Sequence, residues 1–113
     1  MDKLNNYQEL IHDYFLAYEQ FLITPPKPEL DITVALDDER SQYILFKSGW
    51  KEDGYRRYVT LHVTLRNDKI WIEEDMTEDG IASYFLEKGV PSQDIVLGFQ
   101  PPQMRPYTEF AVA

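Results

Sequence analysis

The chain has 113 residues, 20 acidic against 11 basic side chains, a formal charge of −9, 43% hydrophobic and 27% charged residues, and no cysteine. That length suits a single domain over 1–113, and the composition excludes disorder, disulfides, thiolate metal sites and cysteine nucleophiles. The acid surplus repels bare nucleic acid, no apolar run approaches the roughly 18 residues of a membrane helix, and the acid-rich start does not read as a targeting peptide, so a cytoplasmic protein is expected.

The first predicted element is a helix from Asp2 to Leu22, with Asp2 as its cap. Leu4, Tyr7, Ile11, Tyr14, Tyr18 and Phe21 recur at steps of three and four, and Leu10, Phe15 and Leu22 widen them into a face suited to packing on a sheet. Thr24-Pro25-Pro26-Lys27-Pro28 stops the helix, as a stiff connector or, by its PxxP spacing, as a proline-recognition ligand. Leu30 to Leu36 alternates apolar and polar residues, the pattern of a half-buried strand. After the polar turn from Asp37 to Ser41, Gln42 to Trp50 forms a second strand, whose run Tyr43-Ile44-Leu45-Phe46 suits cover on both faces.

Tyr55 to Arg66 is the clearest strand, with Val59, Leu61, Val63 and Leu65 on one face and Tyr58, Thr60, His62 and Thr64 on the other. Asn67-Asp68 supplies a two-residue hairpin loop, because both residues tolerate positive φ, and Lys69 to Glu74 returns. That register sets Arg66 against Lys69, Leu65 against Ile70, Thr64 against Trp71, Val63 against Ile72 and His62 against Glu73. Thr77 is expected to cap a second helix, with Glu78 and Asp79 in its first turn and Ile81, Ala82, Phe85 and Leu86 as its buried stripe. Gly89 and Val90-Pro91 end it. Ser92 to Val96 is expected as a short turn, and Thr108 to Ala113 as a closing edge strand. The fold class is therefore α+β: a long N-terminal helix, an antiparallel four- to five-stranded meander sheet, a short second helix and an irregular Pro-rich C-terminal segment.

Motifs that carry chemistry are sparse. No G-x-S-x-G elbow, G-x-G-x-x-G turn or P-loop is present, and none of the six lysines follows an acid by two positions, as a restriction-type nuclease centre requires. His12 falls on the polar flank of the first helix. The one constellation is His62, Glu73 and Asp75, which the hairpin register would bring together on one sheet face, either as a divalent-ion or acid–base site or as a cross-strand ionic pair. Arg56-Arg57 is the only adjacent pair of bases, and strand alternation sends the two to opposite faces. Trp50, Trp71, Phe99, Arg105 and Tyr107 are of the types enriched at interface hot spots, and equally of the types that close a core. No cofactor is implied.

Gly49-Trp50, Lys69-Ile70-Trp71-Ile72, Asp75-Met76-Thr77-Glu78-Asp79-Gly80-Ile81-Ala82, Ile95 to Pro102 and the ending Arg105 to Ala113, in that order after the start Met1-Asp2-Lys3-Leu4, resemble the XisI family of cyanobacterial fdxN-element excision controlling factors. The resemblance spans nearly the whole chain and is weakest from Leu22 to Pro28. It implies a small cytoplasmic α+β protein that controls programmed excision of a DNA element, alongside a site-specific recombinase and an endonuclease-like XisH-type companion. It brings no catalytic residues. The expectation is a non-enzymatic regulator acting through protein partners, without direct contact to nucleic acid. The alternatives are an antidote-like subunit that neutralises a nuclease-like companion, or a small metal-dependent enzyme centred on His62, Glu73 and Asp75. Exposed tyrosines and an open edge strand leave room for a homo-oligomer.

Overall fold

A computed structural model describes residues 3–24 and 29–113. The expected cap Asp2 and the Pro25 to Pro28 connector lie outside the described residues. Helix α1 (Lys3–Ile23) buries Tyr7, Ile11 and Phe15. Phe21, expected on the same stripe, is 74% exposed. At about 100° per residue it points some 80° away from Ile11, and in the last turn it stacks on Tyr18 instead of reaching the core.

Four strands, β1 (Asp31–Asp37), β2 (Gln42–Lys51), β3 (Gly54–Arg66) and β4 (Lys69–Asp75), run as an antiparallel meander. Helix α2 (Ile81–Glu87) carries the chain back so that β5 (Ile95–Leu97) joins β4 in parallel, giving the order β1-β2-β3-β4-β5. The closing strand is therefore Ile95–Leu97, within and just past the segment expected as a short turn. The expected strand from Thr108 to Ala113 contributes one bridge, Ala111 beside Val96. The β-branched pair Ile95 and Val96 is fully buried, whereas the prolines before and within the 3-10 turn Pro102–Tyr107 keep the tail from running alongside the sheet.

The hairpin loop is as expected: Asn67 and Asp68 hold φ of 54° and 60°. Two bulges alter the rest of the register. In β3, Leu45 faces Leu61 but Phe46 faces Val59, so Thr60 is the extra residue. Leu61, Val63 and Leu65 reach the core, while Val59 turns to the other face beside Phe46 and is exposed. In β4, Val63 faces Ile72 but His62 faces Glu74, so Glu73 is the extra residue. Tyr43 and Leu45 are buried and Ile44 and Phe46 only half-buried, so β2 is covered fully on one face, not both.

Helix α1 and α2 share the covered face, where Tyr7, Ile11 and Phe15 meet Tyr43, Leu45, Leu61, Val63, Ile70, Ile72, Ile81 and Phe85. Helix α2 starts later than expected. Thr77 is not its cap; Gly80 holds that position with φ of 82°, and Glu78 and Asp79 lie ahead of the first turn. Its end follows the glycine-terminated pattern: Val90 N–H donates to Phe85 O at 3.0 Å and Gly89 N–H to Leu86 O at 3.1 Å, with Gly89 at φ of 91°. On the opposite face, Trp71, Val96 and Ala111 form a smaller cluster beneath the C-terminal tail.

Candidate interaction surface

The residues singled out as a metal or acid–base cluster separate. The extra residue in β4 breaks the His62–Glu73 pair and leaves His62 opposite Glu74 and Asp75 opposite Leu61. His62 Nε2 instead meets Gln42 Oε1 at 3.0 Å. Glu73 accepts from Thr64 Oγ1 and from the Arg66 guanidinium, both at 3.1 Å. Asp75 organises the start of α2: Oδ2 accepts the Ile81 N–H at 2.8 Å, and Oδ1 accepts the Thr77 N–H at 2.9 Å and the Thr77 hydroxyl. The Thr77 hydroxyl oxygen in turn accepts the Gly80 N–H at 3.2 Å. No group of three metal-ligating side chains occurs among the described residues.

The five aromatic and arginine candidates fall into two groups. Trp71 is buried between two guanidinium groups, Arg66 at 3.8 Å and Arg105 at 5.4 Å from its ring centroid. Arg105 fastens the tail over that ring, donating to the carbonyls of Gln100, Gly98 and Val112 at 3.1, 3.3 and 3.4 Å. Its role in the structure is to hold the chain end. Trp50, Phe99 and Tyr107 are exposed, with Trp50 at 77% and Tyr107 at 83%.

Trp50 belongs to a feature that alternation alone could not reveal. Strand β4 pairs with β3 only from Leu61 to Arg66, so Gly54 to Thr60 has β2 on one side and an open edge on the other, save the Met76 N–H bonded to Thr60 O at 2.8 Å. This two-stranded arm exposes Trp50, Tyr55, Tyr58 and Val59, with Trp50 edge-on to Tyr55 at 5.4 Å. A cleft of about 470 Å³ follows the open edge, between Tyr58, Val59 and Lys47 of the arm and Tyr18 and Met76 opposite.

At the other end of β2 the surface is acidic. A second cleft runs along α1 past Glu9 and Asp13 to Asp38 in the β1–β2 turn. His12, expected to be merely solvated, meets Asp38 at 2.9 Å and lies edge-on to Tyr43. The Tyr43 hydroxyl donates to the same carboxylate at 2.7 Å, and that bond, with His12 adding to it against the effect of burial, holds Asp38 below the usual carboxylate range. Asp94 is a half-buried counterpart at the start of α1. Burial pushes its carboxyl up, but the hydrogen bonds from Tyr7 and Lys3 outweigh that and hold it low.

The whole chain matches known relatives. The family model described as XisI protein covers residues 1–112. The crystal structure of fdxN element excision controlling factor XisI from Anabaena variabilis ATCC 29413 is 35% identical, covers 99% of this chain and 100% of that one, and superposes with a TM-score of 0.90. A XisI-like protein from the same organism is 31% identical over 97% of this chain and 99% of its own, with a TM-score of 0.88. No curated protein matches. No helix among the described residues is long and apolar enough to cross a membrane.

Proposed function

The chain belongs to the XisI family, and we propose that it is a non-enzymatic accessory protein that regulates excision of a DNA element by binding an endonuclease-like partner of the XisH type. The observation that carries this reading is the full-length likeness to a protein named as an excision controlling factor. The charge supports it. A chain of formal charge −9 is repelled by the phosphate backbone, but complements the basic surface with which a nuclease meets DNA. The exposed acids Glu9 and Asp13 on α1, next to Asp38, form the face that such a surface would meet.

Co-expression with an endonuclease-like protein of the XisH type, followed by co-purification at 50 mM and 300 mM salt, tests the reading. Association at low salt that weakens at higher salt is expected, and a Glu9→Lys, Asp13→Lys variant should lose it. No association at 50 mM salt, or tight binding of this chain alone to duplex DNA, would overturn the proposal.

A further inference from the structure

We propose that the open edge of β3 is a strand-addition site that takes an extended, acidic segment of a partner protein. The inference goes beyond the excision reading and does not depend on which partner carries the segment. Gly54 to Val59 is in strand conformation, pairs with β2 alone, and is long enough, at about 3.4 Å per residue, to seat some 20 Å of extended chain. Its backbone groups on the open side are a ready template for another strand. Of the devices that blunt such edges, this edge has no proline and is not short; it has a bulge at Thr60, where it ends, and the charges of Arg56 and Arg57.

One cleft lies along this edge, and a second, lined by Glu29, Trp50, Lys51, Glu52 and Asp53, lies at the hairpin tip. Tyr58 and Val59 supply apolar surface to the wall of the first, Tyr18 and Met76 close the far side, and alternate side chains of an added strand would pack between them.

Charge selects the occupant. Lys47 and Arg57 both line the cleft along the edge, and neither lies within ion-pair distance of a carboxylate among the described residues. Arg57 rests over the Phe46 ring at 5.4 Å, which leaves its hydrogen-bonding edge unpaired. Glu74 stands at the inner end and Glu52 and Asp53 at the hairpin tip, Asp53 paired with Arg56, so the incoming acids belong between them, beside Lys47 and Arg57. A second copy of this chain fits poorly. Of the antiparallel pairings of β3 with itself that keep like faces together, the two that overlap most over Gly54 to Val59 set Arg56 against Arg56 or Arg57 against Arg57, and like charges directly opposite destabilise a pair.

A random dodecapeptide library displayed on phage, panned against the full chain, tests the proposal. The expected enrichment is for sequences that alternate Glu or Asp with β-branched or aromatic residues. An enriched peptide, once synthesised, should slow amide exchange on the open side of Tyr55 to Val59 at least tenfold. The Lys47→Glu, Arg57→Glu variant, with thermal unfolding unchanged, should bind it at least tenfold more weakly. N-methylation of alternate backbone nitrogens in the peptide should abolish binding, which an interaction through side chains alone would survive. Enrichment indifferent to acidic content, protection elsewhere on the molecule, or protection of these same amides by rising protein concentration without peptide would each overturn the proposal, the last by making a second copy the occupant.

Discussion

Replacing Asp75 by alanine separates a capping role from a metal-binding one. The carboxylate accepts two backbone N–H groups, from Ile81 at 2.8 Å and Thr77 at 2.9 Å, and the Thr77 hydroxyl. Ile81 is fully buried, so its N–H has no recourse to water once the acceptor is gone. A hydrogen bond to a charged acceptor contributes about 1.5–3 kcal/mol, and an orphaned buried donor costs about as much again as a typical cap. Thr77 is only half-buried and can recruit water, so the expected loss for Asp75→Ala is about 3 kcal/mol. With an m-value of about 2 kcal/mol/M in urea, the midpoint should fall by about 1.5 M at unchanged slope. Asp75→Asn keeps an oxygen for one donor and should lose about half as much. A midpoint within about 0.3 M of the parent for Asp75→Ala would refute the capping account. A rise in melting temperature with added Mn²⁺ or Mg²⁺ in the parent alone would restore the metal reading, because a ligand bound only by the native state stabilises it by mass action.

Four further outcomes follow from the register, the approach of Gly98 to Glu73, and the tyrosine–carboxylate pairs. Leu61→Ala should cost about 2–5 kcal/mol and Val59→Ala under about 0.5 kcal/mol in the same denaturation assay, and equal costs would place both on one face and remove the Thr60 bulge. In Gly98→Ala the new Cβ would meet Glu73 Oε1 and lie 3.2 Å from the Ile72 carbonyl, displacing Glu73 from Thr64 and Arg66. A loss of about 1 kcal/mol is expected, largely absent when Glu73→Ala is already in place, as thermal unfolding of the double-mutant cycle would show. Because Asp94 is held below its unfolded value, its contribution is present above pH of about 4 and lost as pH falls through the folded pKa, so Asp94→Asn should flatten the acid limb of a pH-stability curve. Burial, with hydrogen bonds to Asp94 and Asp38, raises Tyr7 and Tyr43 above the ordinary tyrosine range, so their share of stability is full below pH of about 10 and declines above it.

Local signals in the sequence were enough to place α1, the first four strands and the Asn67-Asp68 turn, because each is written in residues a few positions apart. What escaped is what depends on single inserted residues. Nothing in the identity of Thr60 or Glu73 announces a bulge, yet each reverses the alternation beyond it, and the second dissolves the His62–Glu73 pairing. Thr77 has the chemistry of a cap, and it does bind the Gly80 N–H. The helix itself begins at Ile81 because Asp75, six residues back, reaches its first amide, a contact no capping pattern encodes. Strand β5 was hidden by its length, since three residues carry no period. The same limit applies to the surface. Trp50 was legible only as an aromatic that could serve an interface or close a core, and the open edge beside it exists because β4 stops pairing at Leu61, which is a fact about the neighbouring strand.

The two proposed docking surfaces, of opposite character on one small acidic molecule, need a physical reason to coexist. They lie apart along β2: Asp38 is in the turn before Gln42, and Lys47 and Arg57, the latter opposite Ser48, are five to six residues beyond Gln42, or about 17–20 Å. At 0.15 M ionic strength exposed charges are screened beyond about 8 Å, so the net charge of −9 does not cancel the local pull of Lys47 and Arg57 on an acidic segment. Nor does the arm weaken the attraction of the α1 face for a basic surface. Near 0.01 M the screening length grows to about 30 Å and the two ends feel each other, so the acids of α1 then oppose an acidic peptide at the arm. Binding at the arm should therefore tighten from very low to physiological salt before it weakens, whereas binding at the α1 face should only weaken. That opposite initial slope is a consequence of charge segregation along one strand, and a molecule with its charges mixed evenly could not produce it.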